Sequence, residues 1–134
     1  MAIQSMTVDE LQALMRSEDL YACLDVRERG EFGLDQIEGV TPLPRGTLEY
    51  RLPTMVPSPG ALIAVLCNDG RRSRLAAETM IEMGYRDARV VDGGLASWKR
   101  RGLPTIAGWG ETATVTGRSE EEEEQPTRQK INDT

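Results

Sequence analysis

The sequence predicts a single α/β domain built around a parallel β-sheet. Short apolar runs, each long enough for a buried strand, alternate with segments whose apolar residues recur at helical spacing. The 134 residues, 39% of them apolar, suffice for one domain with a modest hydrophobic core. This pattern gives way to an acidic segment towards the end of the chain.

The first predicted helix lies near the start of the chain. Thr7 stands three residues before Glu10, which is the spacing of a capping box. Leu11, Leu14 and Met15 follow on one face. The spacing therefore predicts a short amphipathic helix.

The next segments predict two strands and a second short helix. The run "LYACLDV", residues 20–26, is apolar enough for a strand buried on both faces. Residues 27–39 are polar, which indicates a loop with at most one helical turn. Val40 and Thr41 begin another strand, which the prolines of "VTPLP" keep short. A helix is expected around Leu48, stopped near Pro53.

The second half of the chain contains the clearest strand. The run "ALIAVLC", residues 61–67, has the length and composition of a central strand. The helix predicted after it ends at Gly84, a C-cap, and its stripe consists of Leu75, Ala76, Thr79, Met80 and Met83. "DARVVDGG" predicts a further strand and turn, and "LASWKRRG" predicts a last helix closed by Gly102.

The end of the chain departs from the α/β pattern. Residues 107–134 contain five consecutive glutamates, few large apolar residues and no helical stripe. Such a segment cannot bury enough apolar surface to offset the entropy lost on folding. We therefore expect residues 107–134 to form an acidic, disordered tail.

Charge and hydropathy exclude several classes of function. The formal net charge is −6, and the segment from residue 109 onward contains seven acids against three bases. This balance argues against a nucleic-acid-binding surface. No run approaches the ~20 apolar residues of a membrane span, and the first ten residues lack the features of a secretory signal. We expect neither nucleic acid nor a membrane as a partner.

Histidine and cysteine usage narrows the chemistry further. The chain has no histidine, which removes Ser-His-Asp triads, Cys-His dyads and imidazole metal sites. We expect no metal and no cofactor. The two cysteines, Cys23 and Cys67, lie far apart and do not form a disulfide framework. A reducing compartment, the cytoplasm, is the expected location, and Cys67 is then a free thiol.

The stretch "LCNDGRRSR", residues 66–74, is the strongest candidate site. Cys67 follows the central strand, and ligands of open α/β sheets bind outside the carboxyl ends of the strands. The turn leads into a helix, whose unpaired amides and dipole stabilise negative charge. Arg71 and Arg72 add two positive charges. These surroundings favour a nucleophilic thiolate and an anion bound beside it.

A purely structural interpretation competes with this one. Most cysteines at strand ends are buried and inert, and we expect this of Cys23, in the middle of its strand. The cluster of Arg71, Arg72 and Arg74 could be an ordinary solvated helix start, but cations are unfavourable at a helix N-terminus. Asp69 opposes the cluster by placing a negative charge beside the loop.

Three stretches in this order and spacing resemble the rhodanese (thiosulfate sulfurtransferase) domain. They are "LDVRERGEF", "LCNDGRRSRLAAETMIEMGY" and "VDGGLASWKRRGLP". The likeness extends over residues 5–106, which we take as the domain. It implies a rhodanese-like five-stranded parallel sheet flanked by helices on both faces. It also implies that Cys67 takes a sulfane sulfur from a donor and holds it as a persulfide.

The resemblance also implies the site residues. The family pattern Cys-x4-Arg maps onto Cys67 and Arg72, the expected catalytic residues, with the backbone amides of residues 68–72 around the terminal sulfur. The substrate-binding residues are then Asn68, Asp69, Gly70, Arg71, Ser73, Asp25 and Arg45. For Asp25 a structural bond to an arginine competes with substrate contact. Arg27 is expected in an ion pair and Trp98 in the core.

Two positions depart from the family pattern. Gln36 stands where related sequences often have histidine, and a structural role is expected there. The second loop position is often basic, whereas here Asn68 is followed by Asp69. Asp69 disfavours thiosulfate, a dianion, as the best donor without affecting persulfide chemistry.

The implied activity is sulfur transfer by double displacement. A small-molecule donor passes sulfur to Cys67, and cyanide, a cellular thiol or a sulfur-accepting protein collects it. A monomer or weak dimer is expected. Two alternatives stay open. The first is a non-catalytic rhodanese-like binding or relay module. The second is a cysteine phosphatase or arsenate reductase. Such enzymes have a loop of the pattern Cys-x5-Arg, which would need arginine where Ser73 stands.

Overall fold

The structure, a computed structural model, describes residues 2–108. Its strands and helices alternate along the chain, with a 3-10 turn at Arg45–Thr47 before the third helix. The strands are β1 Gln4–Met6, β2 Ala22–Asp25, β3 Thr41–Pro42, β4 Leu62–Leu66 and β5 Asp87–Val91. The helices are α1 Val8–Arg16, α2 Arg29–Leu34, α3 Leu48–Met55, α4 Arg71–Glu82 and α5 Gly94–Arg100.

The strands form one parallel sheet of five in the order β1-β5-β4-β2-β3. This confirms the predicted fold class. Since all strands run the same way, their carboxyl ends share one edge, where Asp25 pairs with Leu66 in register. The segments after β2, β4 and β5 therefore meet at the same edge.

Helices cover both faces of the sheet and create two apolar cores. On one face α3 and α4 supply Leu48, Leu52 and Met80. On the other face α1 and α5 supply Leu11 and Trp98. The indole of Trp98 packs in the core as expected, and its Nε1 donates a hydrogen bond to the carbonyl of Pro104 at 2.8 Å.

The local signals read from the sequence correspond to the helix ends. At α1, Thr7 N donates to Glu10 Oε1 at 2.7 Å and Glu10 N donates to Thr7 Oγ1 at 3.0 Å, which completes the capping box. Helix α4 follows Gly70, whose φ is 99°, and ends just before Gly84. Leu75, one residue of its predicted stripe, lies in α4 but is 49% exposed.

Four elements differ from the expectations. β1 was not predicted, because Gln4 and Ser5 are polar and exposed on this short edge strand. Helix α2 spans six residues, more than one turn. Helix α3 continues to Met55 despite Pro53, and Pro42 takes part in β3, an edge strand where proline is tolerated.

The chain returns to α2 after α5. Ile106 and Gln36 form an antiparallel bridge, and Gly108 N donates to the carbonyl of Gly33 at 2.8 Å. The buried side-chain amide of Gln36 donates to Phe32 O and Gly108 O, which is a structural role. These contacts extend two residues past the expected boundary at 106. From residue 109 onward, the segment expected to be disordered lies outside the described residues.

No helix within residues 2–108 has both the length and the apolar character needed to cross a membrane.

Candidate active site

Cys67 lies directly after the central strand β4, and its side chain is enclosed by the loop that follows. The residue is 0% exposed. Gly70 N donates a hydrogen bond to Cys67 Sγ at 3.1 Å, and Ser73 N donates to the same sulfur at 3.3 Å. The hydroxyl Oγ of Ser73 lies 3.4 Å from Sγ. The sulfur therefore faces two backbone amides at the start of α4, where negative charge is stabilised.

We call residues 67–72 the Cys67 loop, and its amides have unequal roles. Asp69 Oδ1 accepts a hydrogen bond from Arg71 N at 3.0 Å and lies 3.9 Å from Cys67 Sγ. The amides of Asn68, Asp69 and Arg72 donate to no acceptor within residues 2–108. Three donors at the mouth of the loop are thus available to a bound anion.

The guanidinium of Arg72 is held by α2. Its Nη1 and Nη2 donate to Glu31 Oε1 and Oε2 at 2.7 and 3.0 Å. The sequence predicted a positive charge at Arg72 beside the thiol, and the structure adds a carboxylate partner for it that the sequence had not indicated. The hydrogen bonds from Arg72 lower the pKa of Glu31 to about 2. Glu31 in turn raises the pKa of Arg72, and the nearby Cys67 and Asp69 raise it further.

Glu31 was not singled out from the sequence, although it belongs to a recognisable pattern. It stands three residues after Glu28, and Glu28 N donates to Glu31 Oε1 at 3.0 Å. That spacing marks the start of α2 but says nothing about a partner 41 residues away.

Asp25 and Arg27 form a buried ion pair beneath the site. Arg27 Nη2 and Nε lie 2.8 and 3.0 Å from the Asp25 carboxylate oxygens, and both side chains are almost fully buried. Burial alone would lower the pKa of Arg27, but hydrogen bonds and charge from Asp25 and Asp35 raise it. Asp25 thus has the bond to an arginine that was one of its two predicted roles, and its contact with substrate stays a prediction.

Two predicted arginines lie exposed near the same edge. Arg71 begins α4, and its side chain points into solvent. Arg45 follows β3 in the 3-10 turn, and its side chain makes no hydrogen bond or ion pair with the part of the chain that the structure describes. Substrate contact by either residue stays a prediction.

Cys23 contrasts with Cys67. It lies within β2 in the opposite core, 4% exposed. Burial, and to a smaller extent the charge of Asp25, raises the pKa of Cys23 to about 12. This thiol stays protonated at neutral pH, as expected of a structural cysteine.

Comparison with known proteins identifies the family of this chain. A family model described as a rhodanese-like domain matches residues 7–101. The chain belongs to the rhodanese family.

Individual rhodanese relatives have modest identity. The chain is 30% identical over 97 residues to "Putative sulfur carrier protein YrkF" of Bacillus subtilis, covering 72% of this chain and 51% of that protein. It is 32% identical over 70 residues to "Thiosulfate sulfurtransferase PspE" of Escherichia coli, covering 52% of this chain and 67% of the relative.

A solved structure shares the rhodanese fold. The thiosulfate sulfurtransferase from Pseudomonas aeruginosa superimposes with a TM-score of 0.75 at 27% identity. The match covers 79% of this chain and 20% of that one. This chain therefore corresponds to only part of several larger proteins.

Proposed function

We propose that this chain is a sulfurtransferase that carries a sulfane sulfur as a persulfide on Cys67. The observation that supports this most is the enclosure of Cys67 Sγ by two amide donors, beside three further amides that have no acceptor within residues 2–108. Rhodanese relatives named sulfurtransferase and sulfur carrier agree with a role in sulfur transfer.

The reaction proceeds by two displacements at sulfur. The Cys67 thiolate attacks the sulfane sulfur of the donor and forms a new S–S bond, while the donor's own bond to that sulfur breaks. The leaving group departs as a thiolate from an organic persulfide, or as sulfite from thiosulfate. An acceptor thiolate or cyanide then attacks the outer sulfur, and the Cys67 thiolate is regenerated. Neither step requires a cofactor or an imidazole base.

The loop amides stabilise the outer sulfur of the persulfide. The amides of Gly70 and Ser73 already contact Sγ, so the donors left for the added atom are those of Asn68, Asp69 and Arg72. Backbone donors aimed in advance at a developing negative charge stabilise it without reorganisation. The side chains of Arg72, at the end of the Cys67 loop, and of Ser73, directly after it, lie beside this site.

The charge at the mouth of the loop favours a donor of low charge. The carboxylates of Asp69 and Glu31 offset the positive charges of Arg71 and Arg72, which weakens the attraction for a dianion. We therefore propose an organic persulfide as a better donor than thiosulfate.

The proposed acceptor is a cellular thiol or a sulfur-accepting protein. The proposed setting is a monomer or weak dimer in the cytoplasm, where Cys67 stays reduced.

The alternative activities have less support. A phosphatase or arsenate reductase of the Cys-x5-Arg type needs arginine at the sixth position after cysteine, which is Ser73 here. A binding module would not need Cys67 surrounded by donors. A sulfur relay differs from an enzyme only in turnover and uses the same persulfide.

Sulfur loading separates these activities. The purified chain is incubated with glutathione persulfide, thiosulfate or a phosphomonoester, and peptide mapping by mass spectrometry locates added mass. Sulfur on Cys67, without phosphoester hydrolysis, is the expected result. Release of phosphate without sulfur uptake would overturn the proposal, and sulfur uptake without turnover to cyanide or thiol would identify a relay.

A further inference from the structure

The start of α5 is hydrogen-bonded to the backbone of the Cys67 loop. Leu95 N donates to the carbonyl of Cys67 at 2.8 Å, and Ala96 N donates to the carbonyl of Asn68 at 2.9 Å. These amides belong to the first turn of α5, where a helix has no intrahelical acceptor for them. The loop thus serves as the cap of α5, and α5 restrains the loop.

Both hydrogen bonds also determine where the loop amides point. A peptide bond is planar and trans, so a carbonyl and the following N–H point in opposite directions. Since the carbonyls of Cys67 and Asn68 point towards α5, the amides of Asn68 and Asp69 point away from it. These are two of the loop amides that donate to no acceptor within residues 2–108.

Gly94 permits the close approach that these hydrogen bonds require. A Cβ built at Gly94 would lie 2.3 Å from Cys67 O, 2.7 Å from Asn68 O and 2.8 Å from Asn68 C. All three distances are shorter than a van der Waals contact, and all three atoms are backbone. A side chain at this position must displace either the loop or the start of α5.

We infer that Gly94 is a positioning residue for the sulfur transfer proposed above, on which this inference rests. Its missing side chain lets α5 hold the carbonyls of Cys67 and Asn68. The amides of Asn68 and Asp69 are thereby oriented in advance towards the sulfur carried by Cys67. Gly94 acts through the loop and touches neither donor nor acceptor.

Backbone conformation must be separated from this steric effect. Gly94 has a φ of 57°, so any side chain there is strained even in open space. Gly102 is a matched control, since its φ is 73° and a Cβ built there meets nothing within 4 Å. Gly93 is a second control, with a φ of 71° and a clash confined to the Ser97 side chain.

The test compares Gly94→Ala, Gly93→Ala and Gly102→Ala. Three quantities are measured for each: thermal melting, the single-turnover rate of persulfide formation on Cys67, and the rate of Cys67 alkylation by iodoacetamide. We expect every variant to lose melting temperature, and Gly102→Ala to lose the least, because only its backbone conformation is strained. The rates of persulfide formation and of alkylation should both fall at least about tenfold in Gly94→Ala, the scale expected when a reacting group is misplaced. In the two control variants both rates should change by less than about twofold. Equal rates in Gly94→Ala and Gly102→Ala would overturn the inference.

A measurement on the unaltered protein covers the case in which Gly94→Ala does not fold. Amide hydrogen exchange should show Leu95 and Ala96 protected. Asn68 and Asp69 should exchange rapidly until sulfur is loaded on Cys67, and slowly afterwards. Rapid exchange at Leu95 and Ala96 would overturn the inference. If the unaltered chain takes sulfur from no donor, the proposed function fails, whereas the alkylation rates and the exchange of Leu95 and Ala96 still test the position of the loop.

Discussion

Glu31 holds Arg72 in a two-point ion pair that joins α2 to the Cys67 loop. The guanidinium nitrogens of Arg72 lie 2.7 and 3.0 Å from the two carboxylate oxygens. Both side chains are partly exposed, at 36% and 40%, so the pair is accessible to salt and to solvent. The carboxylate of Glu31 therefore balances the positive charge of Arg72 beside the site. This balance affects how strongly the site attracts a negatively charged sulfur donor.

Removing the Glu31 charge should improve the use of thiosulfate. Glu31→Gln frees the charge of Arg72 at the loop, so the apparent affinity for the dianion should rise about threefold at low ionic strength, the size expected of an exposed ion pair. Steady-state kinetics with thiosulfate and with an organic persulfide measures the effect. Glu78→Gln is the control, because Glu78 pairs with Arg74 on the same helix but away from the loop.

Asp69→Asn should act in the same direction. The amide keeps an oxygen that can accept from Arg71 N, so the loop turn is preserved while the charge is removed. Equal gains for both donors, or a loss with thiosulfate, would show that these carboxylates shape the loop and do not select the donor.

The same ion pair makes stability depend on acid pH. The pKa of Glu31 is about 2 in the folded chain, against an ordinary value of 4.5. Because the folded pKa is the lower one, Glu31 stabilises the fold fully above pH 4.5, and this contribution is lost as the pH falls towards 2. Urea unfolding of wild type and Glu31→Gln should therefore differ at pH 7 and converge near pH 2. A difference that stays constant with pH would contradict the assignment. Asp35, whose pKa Lys99 and Arg27 lower, is common to both proteins and cancels.

The buried pair beneath the site should be much more important for stability. Arg27→Met leaves the Asp25 carboxylate, 1% exposed, without its partner. Loss of one member of a buried pair destabilises a protein by about 3–5 kcal/mol. Arg101→Met removes an exposed pair with Asp9 and should cost at most about 1 kcal/mol. Urea denaturation measures both, and equal losses would contradict the structural role given to Arg27.

The part of the site that was predictable from the sequence is formed by residues that lie close together along the chain. Cys67, Gly70 and Ser73 lie within seven positions, so a strand end followed by a helix start was enough to bring their groups together. The cap at Thr7 and the helix end at Gly84 are local in the same sense. Short-range spacing carries such features because only one or two turns of chain determine them.

The features that sequence did not reveal depend on the order of the strands. Glu31 meets Arg72 across 41 residues, and Leu95 meets Cys67 because β5 lies beside β4 in the sheet. The strand Gln4–Met6 was missed because its polar residues show no strand pattern, and only its pairing with β5 defines it. Long-range pairing was available from the family resemblance but not from periodicity.

The end of the domain can be tested by truncation at two positions. Removal of residues 109–134 should leave the melting temperature and small-molecule sulfur transfer nearly unchanged. Removal of residues 107–134 also deletes Gly108, which accepts from the buried side chain of Gln36 and donates to Gly33. Gln36 keeps its hydrogen bond to Phe32 O but loses the acceptor of its other N–H. A buried donor left without an acceptor costs about 1–3 kcal/mol, so this shorter chain should melt earlier. A large loss in the longer variant would place the boundary beyond Gly108.

The central claim is that Cys67 carries the transferred sulfur. The most direct measurement is the mass of the intact chain after incubation with glutathione persulfide, for wild type, Cys23→Ser and Cys67→Ser, followed by transfer to cyanide. Wild type and Cys23→Ser should each gain the mass of one sulfur atom and release thiocyanate, because the Cys67 loop is unaltered in both. Cys67→Ser should gain nothing and release nothing. Sulfur uptake and turnover by Cys67→Ser at a rate comparable to wild type would contradict the account.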